Sequence, residues 1–152
     1  MKLGTKTHVY VSIAKTLDQR YLPFPQENTW AGFDFLTRAI ARLFVENGAF
    51  VVIADVQDEL GHQVVESIGV EKASYRHCDV RDEKQVEEIV AYTLDKYGGL
   101  DIMFSNACVI GAIHGILELD MEAFDNTMAI NVRGVAVTMK YAARAMVAKQ
   151  IQ

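Results

Sequence analysis

"ARLFVENGAFVVIADVQDELG", residues 41–61, is the stretch that decides the fold. Its centre, residues 49–55, is an unbroken apolar and β-branched run, which is typical of a strand buried on both faces. Helical stripes of apolar residues lie on either side of it, in residues 26–44 and in residues 58–69. A buried strand between two helices predicts an α/β fold, in which helices cover a parallel sheet.

The rest of the chain repeats this alternation. "ASYRHCDV" (73–80) and "LDIMFSNA" (100–107) have the composition of strands, and residues 82–99 between them have the stripe of a helix. Residues 121–150 predict one or two further helices. Because these helices are apolar on nearly every side between residues 132 and 147, we expect them to be buried on two faces.

Composition excludes several classes of function. The chain has 152 residues, 51% of them apolar, with 15 basic and 20 acidic residues and a net charge of -5. This charge repels phosphodiester backbones and anionic lipid, so we predict neither a nucleic-acid nor a membrane partner. The spacing of Cys78 and Cys108 predicts neither a disulfide framework nor a metal site. Together with the lack of a membrane-length apolar segment, this indicates a cytoplasmic protein.

Four motifs carry a family resemblance: residues 41–61, "HCDVRDE" (77–83), "KYGGLDIMFSNA" (96–107) and "INVRG" (130–134). From about Leu36 to Lys149 the chain resembles the short-chain dehydrogenase/reductases, and most closely the plant members similar to secoisolariciresinol dehydrogenase and xanthoxin dehydrogenase. The resemblance implies a Rossmann-like, doubly wound parallel sheet that is incomplete, as the N-terminal part of the family fold. It also implies an NAD(P) cofactor and hydride transfer to or from an alcohol or ketone.

The resemblance assigns cofactor contacts to six positions, namely Asp55, Val56, Asp79, Val80, Asn106 and Ala107. In the family, an acidic residue at the end of the second strand accepts hydrogen bonds from the adenosine ribose. A carboxylate there favours NAD, because it repels the 2′-phosphate of NADP. Asp79 is read equally well as a turn residue at a helix entry. Cys108 stands where the family has a glycine, which places a side chain next to the cofactor path.

The resemblance implies only a supporting catalytic role for Asn131, on the family's long helix. The catalytic serine and the Tyr-x-x-x-Lys pair of the family lie beyond that helix, so we expect residues 1–152 to be catalytically incomplete. Tyr92 and Lys96 have the same spacing but precede the strand at residues 100–107. We interpret them as part of a solvated helix face.

The glycine-rich phosphate loop of the family aligns with residues 30–37, where Ala31, Phe35 and Thr37 replace its three glycines. Asp34 is interpreted as the N-cap of the helix that follows. A carboxylate there would use the N–H groups that a pyrophosphate needs and would repel it. The binding of NAD is therefore predicted to be weak or absent.

The N-terminal segment is the least regular part of the chain. We divide the chain into a divergent segment, residues 1–31, and a partial Rossmann-like dinucleotide-binding domain, residues 32–152. Pro23 and Pro25 argue against a strand directly before the first helix. "HVYVSI" (8–13) is the nearest replacement for the central first strand. If it does not fill that place, the sheet has a gap.

Two functions remain open from the sequence. The first is an NAD-dependent oxidoreductase by resemblance, catalytically incomplete as residues 1–152. The second is a non-catalytic interaction or regulatory subunit, which forms homo-oligomers or associates with full-length family members through the helix at residues 132–149. The family's substrate loop lies outside the part that the chain resembles, so the sequence predicts no particular substrate.

Overall fold

The strands form one parallel sheet. A computed structural model describes residues 9–13, 31–111 and 115–150. The strands are β1 (Val9–Ile13), β2 (Phe50–Asp55), β3 (Ala73–His77) and β4 (Ile102–Ser105). They pair in the order β3-β2-β1-β4, and each pair is parallel. This order, with a helix after each of β2 and β3, confirms the predicted Rossmann-like fold.

Five α-helices accompany the sheet within the described residues. They are α1 (Ala31–Glu46), α2 (Asp58–Ile68), α3 (Glu83–Tyr97), α4 (Met121–Met128) and α5 (Val135–Gln150). A π-helical segment, Ala129–Gly134, joins α4 to α5, and a 3-10 turn, Ile116–Glu118, precedes α4. The predicted boundaries of α2 and α3 agree with the structure to within a residue at the glycine ends, where Gly69 and Gly98 have positive φ angles.

Residues 9–13 fill the central place in the sheet. β1 pairs with β2 on one side, with Val11 opposite Val52, and with β4 on the other, with Val11 opposite Met103. The gap considered from the sequence is therefore absent, and the outer strands among those described are β3 and β4. The connection from β1 to α1 lies outside the described residues.

The core consists of two layers, one on each face of β2. Val51 and Ile53 face α1 and α2, where they pack with Ala41 and Val64. The alternate positions of β2 face α3 and α5; this layer contains Val52, Ala54, Val86, Ile89, Val90, Ile130, Val137 and Ala142. Because β2 is buried on both faces, its uninterrupted apolar sequence is required by the fold.

The beginning of α1 differs from the prediction. The helix starts at Ala31, so Asp34 lies inside the helix and the interpretation of Asp34 as an N-cap is wrong. The side chains of residues 31–36 lie outside the described part of the structure.

Helix α5 is buried on one face only. Val137, Ala142 and Ala145 pack against the sheet, whereas Met139 and Val147 are 63% and 54% exposed. The expectation of burial on two faces is therefore wrong for the isolated chain. Within the described residues, no helix combines the length and the apolar character that crossing a membrane requires.

Candidate functional site

The sheet brings the predicted cofactor residues to one edge. In a parallel sheet the carboxyl ends of all strands lie at the same edge, where α/β proteins bind ligands. Asp55 ends β2, Asp79 comes two residues after β3, and Asn106 directly follows β4. The three polar side chains that the resemblance assigned to the cofactor therefore share this edge, with β1 between β2 and β4.

Asp55 is held in a fixed position. It is only 8% exposed, and its Oδ1 accepts a hydrogen bond from the Gln57 N–H at 2.9 Å. Its backbone carbonyl accepts bonds from the Tyr75 hydroxyl at 2.7 Å and from the Cys78 N–H at 3.0 Å. Val56, the next residue, is half-buried. The direction of the carboxylate is thus set by the backbone on both sides of it.

Asp79 and Val80 have different environments. The carboxylate of Asp79 is bound by the guanidinium of Arg81 through Nε and Nη2, and this hydrogen bonding raises the pKa of Arg81. Arg81 is in turn held by the Asn126 Oδ1 at 2.8 Å. Val80 is buried against Gly134, where an added Cβ would lie 2.7 Å from Val80 Cγ2. Val80 therefore packs in the core, and the charge of Asp79 is paired with that of Arg81.

Asn106 is connected to the first helix. Its Nδ2 donates to the Oγ1 of Thr37 at 3.1 Å, and Thr37 is buried. Ala107 is also buried, and burial raises the pKa of the adjacent Cys108 thiol. The asparagine side chain thus binds a residue of the segment that aligns with the family's phosphate loop, residues 30–37.

Asn131 holds the segment that follows β4. Its Oδ1 accepts from the Val109 N–H and its Nδ2 donates to the Val109 carbonyl, both at 2.8 Å. The residue lies in the π-helical segment that joins α4 and α5. Since both ends of the amide bind the backbone, Asn131 positions this segment in the structure.

The family assignment follows from a profile comparison. The profile of the family described as enoyl-(acyl carrier protein) reductase matches residues 36–150. The chain belongs to the short-chain dehydrogenase/reductase family. The match begins within the stretch in which the glycines are replaced, after Ala31 and Phe35 and before Thr37, and it covers Asp55, Asp79, Asn106 and Asn131.

Plant proteins are among the most similar curated relatives. The chain is 58% identical over 111 residues to short-chain dehydrogenase reductase 3b of Arabidopsis thaliana, covering 73% of this chain and 43% of that protein. It is 52% identical over 118 residues to (+)-cis,cis-nepetalactol synthase of Nepeta racemosa, covering 76% of this chain and 44% of the relative. The chain therefore spans less than half the length of these relatives, which confirms that it is similar to part of the family fold.

Solved structures agree with this. A short-chain type dehydrogenase/reductase from Mycobacterium marinum superposes with a TM-score of 0.74 at 28% identity, covering 94% of this chain and 51% of that one. A protein described as short-chain dehydrogenase/reductase, glucose/ribitol dehydrogenase, from Brucella melitensis gives a TM-score of 0.76 at 24% identity, covering 96% and 53%. The second likeness shows the fold alone.

The residues fit the two ends of the family's dinucleotide differently. Family members use NAD(P), and the edge formed by Asp55, Asp79 and Asn106 is where the adenosine end would lie. The turn that holds the pyrophosphate in the family is replaced here by helix, because residues 31–37 lie within α1 and the N–H groups from Phe35 onward are used inside the helix. The cleft that Thr37, Arg38, Asp55 and Gly61 line holds only ≈ 20 Å³, about one water molecule.

Two contacts of the site could not be found from the sequence, since both depend on partners that the fold brings together. The bond between Asn106 and Thr37 joins residues 69 positions apart. Arg81 binds Asp79, which is only two positions away in the sequence. The Asn126 side chain that accepts a hydrogen bond from Arg81 belongs to the distant helix α4. Among the described residues no cluster of three or more His, Cys, Asp or Glu could hold a metal ion.

Tyr92 and Lys96 are more than a solvated helix face. Lys96 Nζ donates to the Tyr92 hydroxyl at 3.0 Å, and the Tyr92 ring is partly buried against the core. The pair lies on α3, beside the edge strand β3, whereas the carboxyl edge carries Asp55 and Asn106. The structure agrees with the interpretation as a helix face, on which Lys96 is exposed and Tyr92 is half-buried.

Proposed function

We propose that this chain is the cofactor-side part of an NAD-dependent oxidoreductase of the short-chain dehydrogenase/reductase family, with weakened cofactor binding and no turnover by residues 1–152 alone. The division into a divergent segment, residues 1–31, and a partial dinucleotide-binding domain, residues 32–152, belongs to this proposal. So does a cytoplasmic location, which the two free cysteines, Cys78 and Cys108, support.

The position of Asp55 carries the proposal. A carboxylate at the end of β2, fixed by the Gln57 N–H at 2.9 Å, stands where a dinucleotide-binding sheet meets the adenosine ribose. Its negative charge disfavours a second phosphate on that ribose, which supports NAD over NADP. We include Val56, Asp79, Val80, Asn106 and Ala107 in the same proposed site.

The first turn of α1 supports weakened binding. A pyrophosphate is bound by free backbone N–H groups at a glycine-rich turn, and hydrogen bonds to a charged group contribute roughly 1.5 to 3 kcal/mol each. Here the helix begins at Ala31 and includes Thr37, whose hydroxyl accepts a bond from Asn106. If NAD is bound through its adenosine end alone, the contacts to adenosine have to compensate for several such hydrogen bonds.

The absence of turnover rests on proton transfer. Positioned acid-base catalysis contributes typically about 10² to 10⁴-fold, and residues 1–152 contain no tyrosine at the family position after the long helix. Asn131, the one family residue of that relay in this stretch, has both ends of its amide bound to Val109. Its role here is to position the segment after β4.

Reconstruction of the glycine loop tests the proposal. The triple variant Ala31→Gly, Phe35→Gly, Thr37→Gly weakens the first turn of α1 and releases the Asn106 amide. We expect it to bind NAD at least about tenfold more tightly than the native chain, the effect of one recovered charged hydrogen bond. Ala39→Gly, on the same helix, is the control for general destabilisation. Titration calorimetry measures both.

The Asp55 part of the proposal is tested in the same background. Adding Asp55→Asn to the triple variant should weaken the binding of NAD and bring the affinities for NAD and NADP closer together. Two results would contradict this part of the proposal: the triple variant binds NAD no more tightly than Ala39→Gly, or Asp55→Asn leaves the preference for NAD over NADP unchanged. Either result would show that this edge is not an adenosine site.

A second function is favoured by the exposed side of α5. Val132, Met139 and Val147 are 54%, 63% and 54% exposed and lie along one side of the helical segment. We propose, as the alternative, a non-catalytic subunit that associates through residues 132–149 with itself or with full-length family members. Apolar area of this kind is buried in stable subunit interfaces.

A further inference from the structure

Five side chains form a cluster along the outer edge of the sheet, remote in sequence from the proposed cofactor residues of β2 and β4. Ser74 and Arg76 belong to the edge strand β3, and Tyr92, Lys96 and Tyr97 belong to α3. We refer to these five residues as the tyrosine cluster. It combines two phenols, two cations and an aliphatic hydroxyl at one place on the surface.

The cluster is organised around Tyr92. Lys96 Nζ donates to the Tyr92 hydroxyl at 3.0 Å, and the guanidinium carbon of Arg76 lies 4.0 Å from the centre of the Tyr92 ring. Ser74 Oγ lies 3.2 Å from the hydroxyl of Tyr97. Two positive charges therefore act on a single phenol, one at its oxygen and one on its ring face.

We propose that Tyr92 is a nucleophilic phenol, and that the tyrosine cluster is a modification site that accepts acyl groups from activated acyl donors. A cation at the phenol oxygen stabilises the phenolate, which is the reactive form. The guanidinium on the ring face acts in the same direction, since the phenolate ring carries more negative charge than the phenol ring.

The electrostatics of the cluster agree with this geometry. Burial raises the pKa of Tyr92, but the hydrogen bond from Lys96 and the charges of Lys96 and Arg76 act in the opposite direction, and the pKa is lowered. The charged groups that face the phenol are thus Lys96 from α3 and Arg76 from β3. Glu88, one turn earlier on α3, lies 3.6 Å from Lys84.

The surroundings fix the phenol while its oxygen stays at the surface. The Tyr92 ring packs against the core, and Tyr97 beside it is stacked on Phe50 with ring centres 5.1 Å apart. The bond between Lys96 and Tyr92 is itself exposed, so a small acyl donor can reach the oxygen.

Tyr141 provides a comparison within the chain. Its hydroxyl donates to the carboxylate of Glu83 at 3.2 Å, and burial together with Glu83 and Glu87 raises its pKa. It is half-buried, as Tyr92 is. The two tyrosines therefore have similar exposure and opposite electrostatic surroundings.

The reaction that we propose is a single acyl transfer. The Tyr92 oxygen attacks the carbonyl carbon of the donor, a C–O bond forms, and the bond from the acyl carbon to the leaving group breaks. With N-acetylimidazole as the probe, the leaving group is imidazole, which takes up the phenolic proton. No electron transfer is involved.

The test measures acetylation of the folded 152-residue chain by N-acetylimidazole, with peptide mass spectrometry at each tyrosine. We expect Tyr92 to be acetylated faster than Tyr141, because the phenolate is the reactive form and the pKa of Tyr92 is lowered whereas that of Tyr141 is raised. Lys96→Met should remove most of this advantage. Lys84→Met, on the same helix and away from the phenol, should leave it unchanged.

Two results would overturn the proposal. One is acetylation of Tyr92 no faster than that of Tyr141 in the native chain, a comparison that needs no variant to fold. The other is equal rates at Tyr92 in the Lys96→Met and Lys84→Met variants, with circular dichroism showing both to be folded.

Discussion

At the scale of single residues, one tyrosine supports the carboxylate on which the proposed function rests. The Tyr75 hydroxyl lies 2.7 Å from the Asp55 carbonyl and 2.7 Å from Asp58 Oδ1. Its ring packs on Gly61, where an added Cβ would come within 2.1 Å of Tyr75 Cε2. The glycine in α2 therefore makes room for the ring that ties β3 to the end of β2.

Gly61→Ala should displace this ring. We expect the free energy of unfolding to fall by about 1 to 3 kcal/mol, the usual effect of overpacking, despite the higher helix propensity of alanine. Urea denaturation followed by circular dichroism measures the change. Glu59→Ala, an exposed position on the same helix, is the control, and a Gly61→Ala chain as stable as this control would show that the ring moves aside freely.

The single residues also show what the sequence alone can predict about a site. The family resemblance assigned Asp55, Asp79 and Asn106 to the cofactor, and the parallel sheet brings the three residues to one edge. Their partners did not follow. The Thr37 hydroxyl that engages Asn106 comes from another helix, and no periodicity in the sequence encodes such a contact.

At the scale of elements, Glu83 joins α3 to the long helical segment. Its carboxylate accepts hydrogen bonds from Lys140 and from the Tyr141 hydroxyl, and lies 3.5 Å from Arg133. Hydrogen bonding by Lys140 and Tyr141 is the main reason that the pKa of Glu83 is lowered. One carboxylate at the beginning of α3 thus connects two helices that cover the same face of the sheet.

This link should make stability depend on pH. Because the pKa of Glu83 is lower in the folded chain, its contribution is present above the pKa of the unfolded chain and is lost as the pH falls through the folded value. In Glu83→Gln the thermal midpoint should therefore fall less between neutral and acidic pH than in the native chain. Glu59→Gln is the control; identical pH profiles for the native chain and Glu83→Gln would contradict the assignment.

The ends of the elements were predictable where the local chemistry decides them. Asp82 accepts from the Lys84 N–H at 2.9 Å, and Gly98 ends α3 with a φ of 74°. Gln85 completes this helix start, since its Nε2 donates to the Asp82 carboxylate and its Oε1 accepts from the Asp79 N–H. Asp34 was misread because the start of α1 lies three residues earlier, where no capping pattern marks it.

At the scale of the whole molecule, the described sheet has two outer strands and one uncovered helical face. β4 pairs with β1 on one side only, and the exposed side of α5 includes Met139 and Val147. Apolar surface contributes roughly 25 cal/mol per Å² when it is removed from water. Unpaired strand edges favour association as well.

We therefore expect the isolated chain to self-associate. The double variant Met139→Gln, Val147→Gln should shift the mass measured by light scattering toward that of the monomer. The control is the double variant Lys84→Gln, Glu59→Gln, which changes two exposed residues away from α5. A native chain that is a stable monomer with one cooperative thermal transition would contradict this prediction.

In the proposed function, the adenosine edge of the dinucleotide site remains while the pyrophosphate turn is replaced by the first turn of α1. Calorimetric titration of the 152-residue chain with NAD tests both parts together. We expect no saturable binding below millimolar NAD, because the N–H groups from Phe35 onward are used within the helix. A dissociation constant in the micromolar range would contradict it.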